Sequence, residues 1–179
     1  MWLQIAAAAV LLIPAGLDLY MPVPESNPLA AETIARGRDL FGDRRLSRDG
    51  SRACASCHNP ARAFSDSRAI AVGVFNRPGR RNAPALINRG YGRAFFWDGR
   101  STSLEQQVLA PIVDPNEMDL SLSEASARIG LSAEEIAQAL ASYVRSILPG
   151  RRSGRIRRDP ARAARRGSRP WRLQDADVA

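Results

Sequence analysis

The chain has 179 residues, enough for one ordinary domain with tails or for two very small ones. Hydrophobic residues make up 45% of it, which excludes an outright disordered chain. The net charge of +8 is unevenly placed: residues 151–179 hold ten arginines against three aspartates, a net of +7, so the body before them carries only +1 and is no basic nucleic-acid-binding surface.

Met1 to Leu17 is almost wholly apolar, interrupted by Gln4 and Pro14. The run has the size of a signal h-region and is short for a membrane span, although no basic residue precedes it. Residues 1–19 are therefore expected to be a signal peptide or a short anchor, which places the chain in the periplasm, free or tied to the inner membrane. Pro22, Pro24 and Pro28 make residues 20–30 an extended, Pro-rich linker. A first helix is expected over Ala31 to Phe41, with Ile34, Leu40 and Phe41 on or near one face and Gly37 where a neighbour can approach closely. Gly42-Asp43 ends it, and Leu46 to Ser51 reads as a polar turn.

Next comes Cys54-Ala55-Ser56-Cys57-His58, which holds both cysteines and the single histidine of the chain. This is the attachment signature of haem c. The thiols add to the two vinyl groups on one edge of the porphyrin, and the following residue places its imidazole under the iron. Cys54 and Cys57 are thus the expected attachment points and His58 the proximal ligand. A zinc site would need further Cys or His ligands, and there are none. A redox disulfide pair belongs near a βαβ pattern, which is not visible.

Residues 60–100 are rich in Gly, Pro, Arg and Asn without lasting periodicity. They are expected to wrap irregularly around the haem, because Phe64, Phe75, Tyr91, Phe95, Phe96 and Trp97 need apolar surroundings; Trp97 by default reads as a core aromatic. Short helices are expected at Leu104 to Leu109 and at Ser121 to Ile129. Ser132-Ala133-Glu134-Glu135 is a capping box that opens a helix carrying Ile136, Leu140, Tyr143, Val144 and Ile147 at intervals of three and four. Pro149-Gly150 stops it. The expected fold is mainly α, a class I cytochrome c-like haem domain over residues 31–149 with long irregular haem-wrapping loops.

Residues 150–179 form an Arg-rich tail. All 26 basic residues of the chain are arginine, as in a strongly GC-rich gene, and the tail reads as a frameshift product or decayed gene end. A disordered solvated extension and a tail that binds phosphate groups are the other readings. Nucleic acid is not an expected partner, since the tail has no aromatic interleaving beyond Trp171 and no hydrophobic stripe.

Several further motifs occur in order: Gly37-Arg38-Asp39-Leu40-Phe41, Leu46-Ser47-Arg48-Asp49-Gly50, Ala63-Phe64-Ser65-Asp66, Arg81-Asn82-Ala83-Pro84, Phe96-Trp97-Asp98-Gly99-Arg100 and Leu104-Glu105-Gln106-Gln107, then Pro111 and Glu117-Met118. With the haem motif they resemble the N-terminal, peroxidatic domain of the bacterial dihaem cytochrome c peroxidases, a family that includes the enzyme maturing tryptophan tryptophylquinone. The resemblance implies a haem that reacts with hydrogen peroxide, with Gln107 and Glu117 in the distal pocket and Pro111 shaping it. It implies Trp97 on the electron route between two haems and Asn82 at an interdomain calcium site. It also implies electrons from a small periplasmic donor such as a cytochrome c or a cupredoxin.

Two departures from the family stand out. In many members a second histidine closes the sixth iron position until reductive activation; here Val74 stands near that place. The second haem domain, which supplies electrons, is also missing from the sequence, so a partner or a direct donor must take its role and weak peroxidase activity is expected of the isolated chain. Glu117 beside an apolar haem face is expected to have a raised pKa and to move a proton between peroxide oxygens, while Gln107 positions the peroxide. Tyr91 and Trp97 are candidate radical or exit sites. Two other readings stay open: a monohaem electron carrier with Met118 as sixth ligand, and an inactive fragment of a dihaem peroxidase.

Overall fold

The computed structural model describes residues 21–148. Five α-helices are present among them: α1 (Ala31–Phe41), α2 (Cys54–Cys57), α3 (Leu104–Val113), α4 (Leu122–Ile129) and α5 (Ala133–Ser146). No sheet forms among the described residues; the extended chain makes isolated antiparallel bridges only. The fold is mainly α, as the sequence predicts, and it is that of a class I cytochrome c-like haem domain.

Helix α5 starts as its capping box requires. The Ser132 hydroxyl accepts the Glu135 N–H at 3.2 Å, and the Glu135 carboxylate accepts the Ser132 N–H at 2.8 Å. Its apolar stripe is buried through Ile136, Leu140 and Val144, and Ile147 continues it just past the helix end. Helix α1 crosses this helix at Gly37, where an added Cβ would fall onto the carbonyl oxygen of Ala139 and the Cβ of Tyr143. Glycine is needed there because the two backbones touch. Leu46, Ile112 and Leu120 complete the centre of the core, all essentially inaccessible.

Residues 21–30 are irregular and interrupted by a turn at residues 25–27, where the Asn27 N–H bonds the Pro24 carbonyl at 3.1 Å, and they are docked by Asn27. Asn27 Nδ2 donates to Glu105 Oε1 at 2.7 Å and to the Gln138 carbonyl at 3.1 Å, and its Oδ1 accepts from the Ser142 hydroxyl at 3.1 Å. Glu105 also takes two bonds from the guanidinium of buried Arg145, at 2.6 and 2.9 Å. One polar knot therefore ties α3 and α5 to the chain before α1.

The long loops close on themselves at three bridges, Asn59 with Ser65, Val72 with Pro78 and Phe95 with Ser101. Each closure contains a phenylalanine in the left-handed region: Phe64 at φ 57°, Phe75 at 52° and Phe96 at 65°. This geometry corrects the expectation that the six loop aromatics all find apolar cover. Phe95 is buried, Phe64, Tyr91 and Phe96 are half-buried, while Phe75 is 51% and Trp97 64% exposed. Tight turns aim some side chains outward, where arginines stack on them: Arg77 over Phe75 at 4.9 Å and Arg100 over Phe96 at 3.6 Å.

The periplasmic location with an inner-membrane anchor is corrected as well. Among the described residues no helix is long and apolar enough to cross a membrane. The apolar run from Met1 that suggested an anchor, and the arginine-rich tail, both lie outside the described residues.

Candidate haem site

Helix α2 is a single turn, so Cys54 and Cys57 stand three residues apart on one side of it. Ser56 Oγ accepts the Ala53 N–H at 3.0 Å at its start, and the His58 N–H closes it onto the Cys54 carbonyl at 2.9 Å. The following loop turns back on the histidine. Phe64 N–H bonds the Asn59 carbonyl at 2.9 Å, which brings the Phe64 carbonyl oxygen to 2.9 Å from His58 Nδ1. A carbonyl only accepts, so Nδ1 carries the proton and Nε2 keeps its lone pair for a metal.

Burial lowers the His58 pKa, against the pull of the Phe64 and Pro84 carbonyls, and so favours the neutral ligand form. Burial pushes the Cys54 thiol up to about 12 and raises that of Cys57. Both cysteines are free. Raised values are the opposite of what a redox-active CxxC motif needs, since such pairs work through an easily formed thiolate. Among the described residues no cluster of three or more His, Cys, Asp or Glu could hold a bare metal ion. Two neighbouring thiols and one oriented imidazole, in contrast, are the donor set of haem c.

Helix α3 carries two further predicted residues. Ser103 caps it by accepting the Gln106 N–H at 3.1 Å, and Pro111 lies inside its last turns. Gln107 and Pro111 are one turn apart on the same face. The ring nitrogen of Pro111 has no proton to give, so the Gln107 carbonyl loses its helical donor. The Gln107 side chain is half-buried and makes no hydrogen bond with a described residue.

The turn after α3 holds Glu117. Asp114 Oδ1 accepts the Asn116 N–H at 2.8 Å, and the Asp114 carbonyl accepts the Glu117 N–H at 3.0 Å. The Pro111 carbonyl accepts the Met118 N–H at 3.2 Å, and the Val74 N–H bonds the Glu117 carbonyl at 2.8 Å. Gly73 packs directly on this turn: an added Cβ would meet the Asn116 carbonyl and lie 2.6 Å from that of Glu117. The Glu117 side chain is exposed by area, yet desolvation raises its carboxyl pKa, helped by Asp114 and opposed by Arg100. Its charge also raises both thiols, so Glu117 and the cysteines share one neighbourhood.

The other predicted residues differ in their burial. Trp97 is on the surface, so its reading as a core aromatic is corrected, and Asn82 is exposed on its loop. Met118 is 5% exposed within the hydrophobic core. Tyr91 is half-buried with its hydroxyl unpartnered among the described residues. Sequence reasoning assigned no role to Gly73, Asp66 or Arg100. Asp66 and Arg100 stood in two of the ordered motifs, and Gly73 offered the signal of an isolated glycine in an apolar stretch, where close backbone approach is common.

Comparison with known proteins shows the family. The family described as di-haem cytochrome c peroxidase matches residues 31–154. The methylamine utilization protein MauG of Methylorubrum extorquens is 38% identical over 148 residues, covering 73% of this chain and 42% of the relative. The cytochrome-c peroxidase IdrP1 of Denitromonas iodatirespirans is 45% identical over 95 residues, covering 53% of this chain and 25% of its own length. Among solved structures, a MauG-like protein associated with microbial copper homeostasis superposes with a TM-score of 0.65 at 29% identity, over 76% of this chain and 47% of that one. The chain thus spans less than half the length of the relatives it matches. It belongs to the di-haem cytochrome c peroxidase family, as a peroxidase-type haem-binding domain.

Proposed function

We propose that the domain carries one haem c, linked through Cys54 and Cys57 with His58 as proximal ligand, and reduces hydrogen peroxide to water with electrons from a small redox protein. When bound, the haem supplies the iron at which peroxide is reduced. Glu117 takes the proton from one peroxide oxygen and returns it to the leaving oxygen; two electrons and two further protons complete two waters. Gln107 orients the peroxide by hydrogen bonding without adding charge, and Pro111 holds the wall on which Gln107 stands. Trp97 is offered at the surface, where a cytochrome c, a cupredoxin or a second haem domain could deliver electrons. Asn82, exposed on its loop, is available as one ligand of a shared calcium ion.

The observation that carries this reading is the pair of free thiols on one helical turn, followed by an imidazole whose Nδ1 is held by the Phe64 carbonyl at 2.9 Å. A carboxyl whose charged form is disfavoured returns an accepted proton more readily than a fully solvated one. The packing of Met118 in the hydrophobic core supports reading it as a core residue rather than as an iron ligand.

The test is expression with a haem c maturation system, followed by a peroxide assay with a reduced small cytochrome c. Wild-type protein should carry covalent haem and turn over peroxide, and Glu117→Gln should slow turnover by roughly 10²-fold or more. Unchanged turnover in Glu117→Gln would remove the acid–base role. A ferric spectrum of a methionine-ligated haem would favour the electron carrier instead.

A further inference from the structure

We propose that Asp66 lowers the reduction potential of the haem from the proximal side, by its charge and without touching the iron. The proposal rests on the haem reading above. Asp66 is 8% exposed, rare for a carboxylate. Its Oδ1 accepts the Arg68 N–H at 3.0 Å, and its backbone carbonyl accepts from Arg62 Nη1 at 3.2 Å. Oδ2 is buried with no partner among the described residues.

A purely structural role explains only half of this arrangement. The bond to Arg68 N–H makes an ordinary Asx turn, which an exposed aspartate would make equally well. It gives no reason to bury Oδ2 unpaired, at a cost in stability that natural proteins rarely keep without a use. The placement supplies a reason. The closure of Asn59 on Ser65 folds the chain back over His58, and the Phe64 carbonyl ends on His58 Nδ1. Asp66 follows that closure directly, and its charge is felt at both Cys57 and His58. Arg52 and Arg68 oppose it at Cys57.

The direction of the effect follows from electrostatics. A fixed negative charge in a poorly solvated setting stabilises the more positive ferric state over the ferrous one. A low potential suits a centre that must give electrons to peroxide.

The test is a spectroelectrochemical titration of the haem-loaded chain. Asp66→Asn keeps the side-chain shape and removes the charge; the ferrous-to-ferric ratio at a fixed applied potential should rise roughly threefold or more. Asp66→Glu keeps the charge and should stay near wild type. Asp66→Ser repeats the neutral test if the amide variant does not load haem. An unchanged ratio in the neutral variants, equal shifts in the Glu and Asn variants, or loss of haem in both neutral variants would overturn the inference. Wild-type protein that attaches no haem would instead overturn the haem reading, and this inference with it.

Discussion

Glu117 is held where its charge is disfavoured, and its folded-state pKa lies above the ordinary 4.5. Between those two values the folded chain binds more protons than the unfolded one, so stability falls as pH rises through that window. Glu117→Gln is therefore expected to raise the melting temperature of the haem-free chain near neutral pH and to leave it unchanged below pH 4.5. Thermal melts at the two pH values check this; a destabilised Gln variant near neutral pH would contradict it. Gly73 is the companion case, because its missing side chain lets the chain lie against the Asn116 and Glu117 carbonyls. Gly73→Ala should cost about 1–3 kcal/mol by overpacking and should slow peroxide turnover by displacing Glu117. Urea unfolding and the peroxide assay measure the two effects. Glu117 was singled out by the motif that contains it, whereas the partner of Gly73 was not legible, since it lies over forty residues away in the chain.

The elements differ in how far local sequence specified them. Helix α1 runs from Ala31 to Phe41 as predicted, and α5 begins on its capping box, because caps and periodicity act over a few residues. Helix α3 was expected to stop at Leu109 but continues to Val113. Pro111 sits close enough to its end that few helical bonds are lost, and Ile112 gains full burial. No pattern in the sequence announced the knot of Asn27, Glu105 and Arg145, whose members are distant in the chain. Burial by itself would raise the Glu105 pKa, but hydrogen bonds from Arg145 and Asn27 win and lower it. Its stabilising charge is present above the ordinary 4.5 and is lost as pH falls through the lower folded value. Glu105→Gln leaves the Arg145 charge buried and unpaired and should cost about 3 kcal/mol in urea unfolding at neutral pH. The same variant should lose most of that deficit relative to wild type in acid, where Glu105 is protonated too.

On the scale of the molecule, haem and fold are expected to be coupled, since Cys54, Ala55 and Phe64 pack against the main core. A ligand bound only by the folded state stabilises it. Haem-loaded wild-type protein should therefore melt well above the Cys54→Ala/Cys57→Ala double variant, which should carry no covalent haem; equal melting temperatures would show that the core stands independently of the site. Local sequence determined the haem motif, the helical class, the ends of α1 and the start of α5, because thiol spacing, caps and apolar periodicity are short-range physics. Tertiary structure alone decided that Gly73 lies against the Glu117 turn, that Trp97 and Phe75 face outward, and that Asp66 is buried. Those outcomes depend on how the irregular loops close and on which backbones touch, and such long-range contacts leave no periodic trace in the chain.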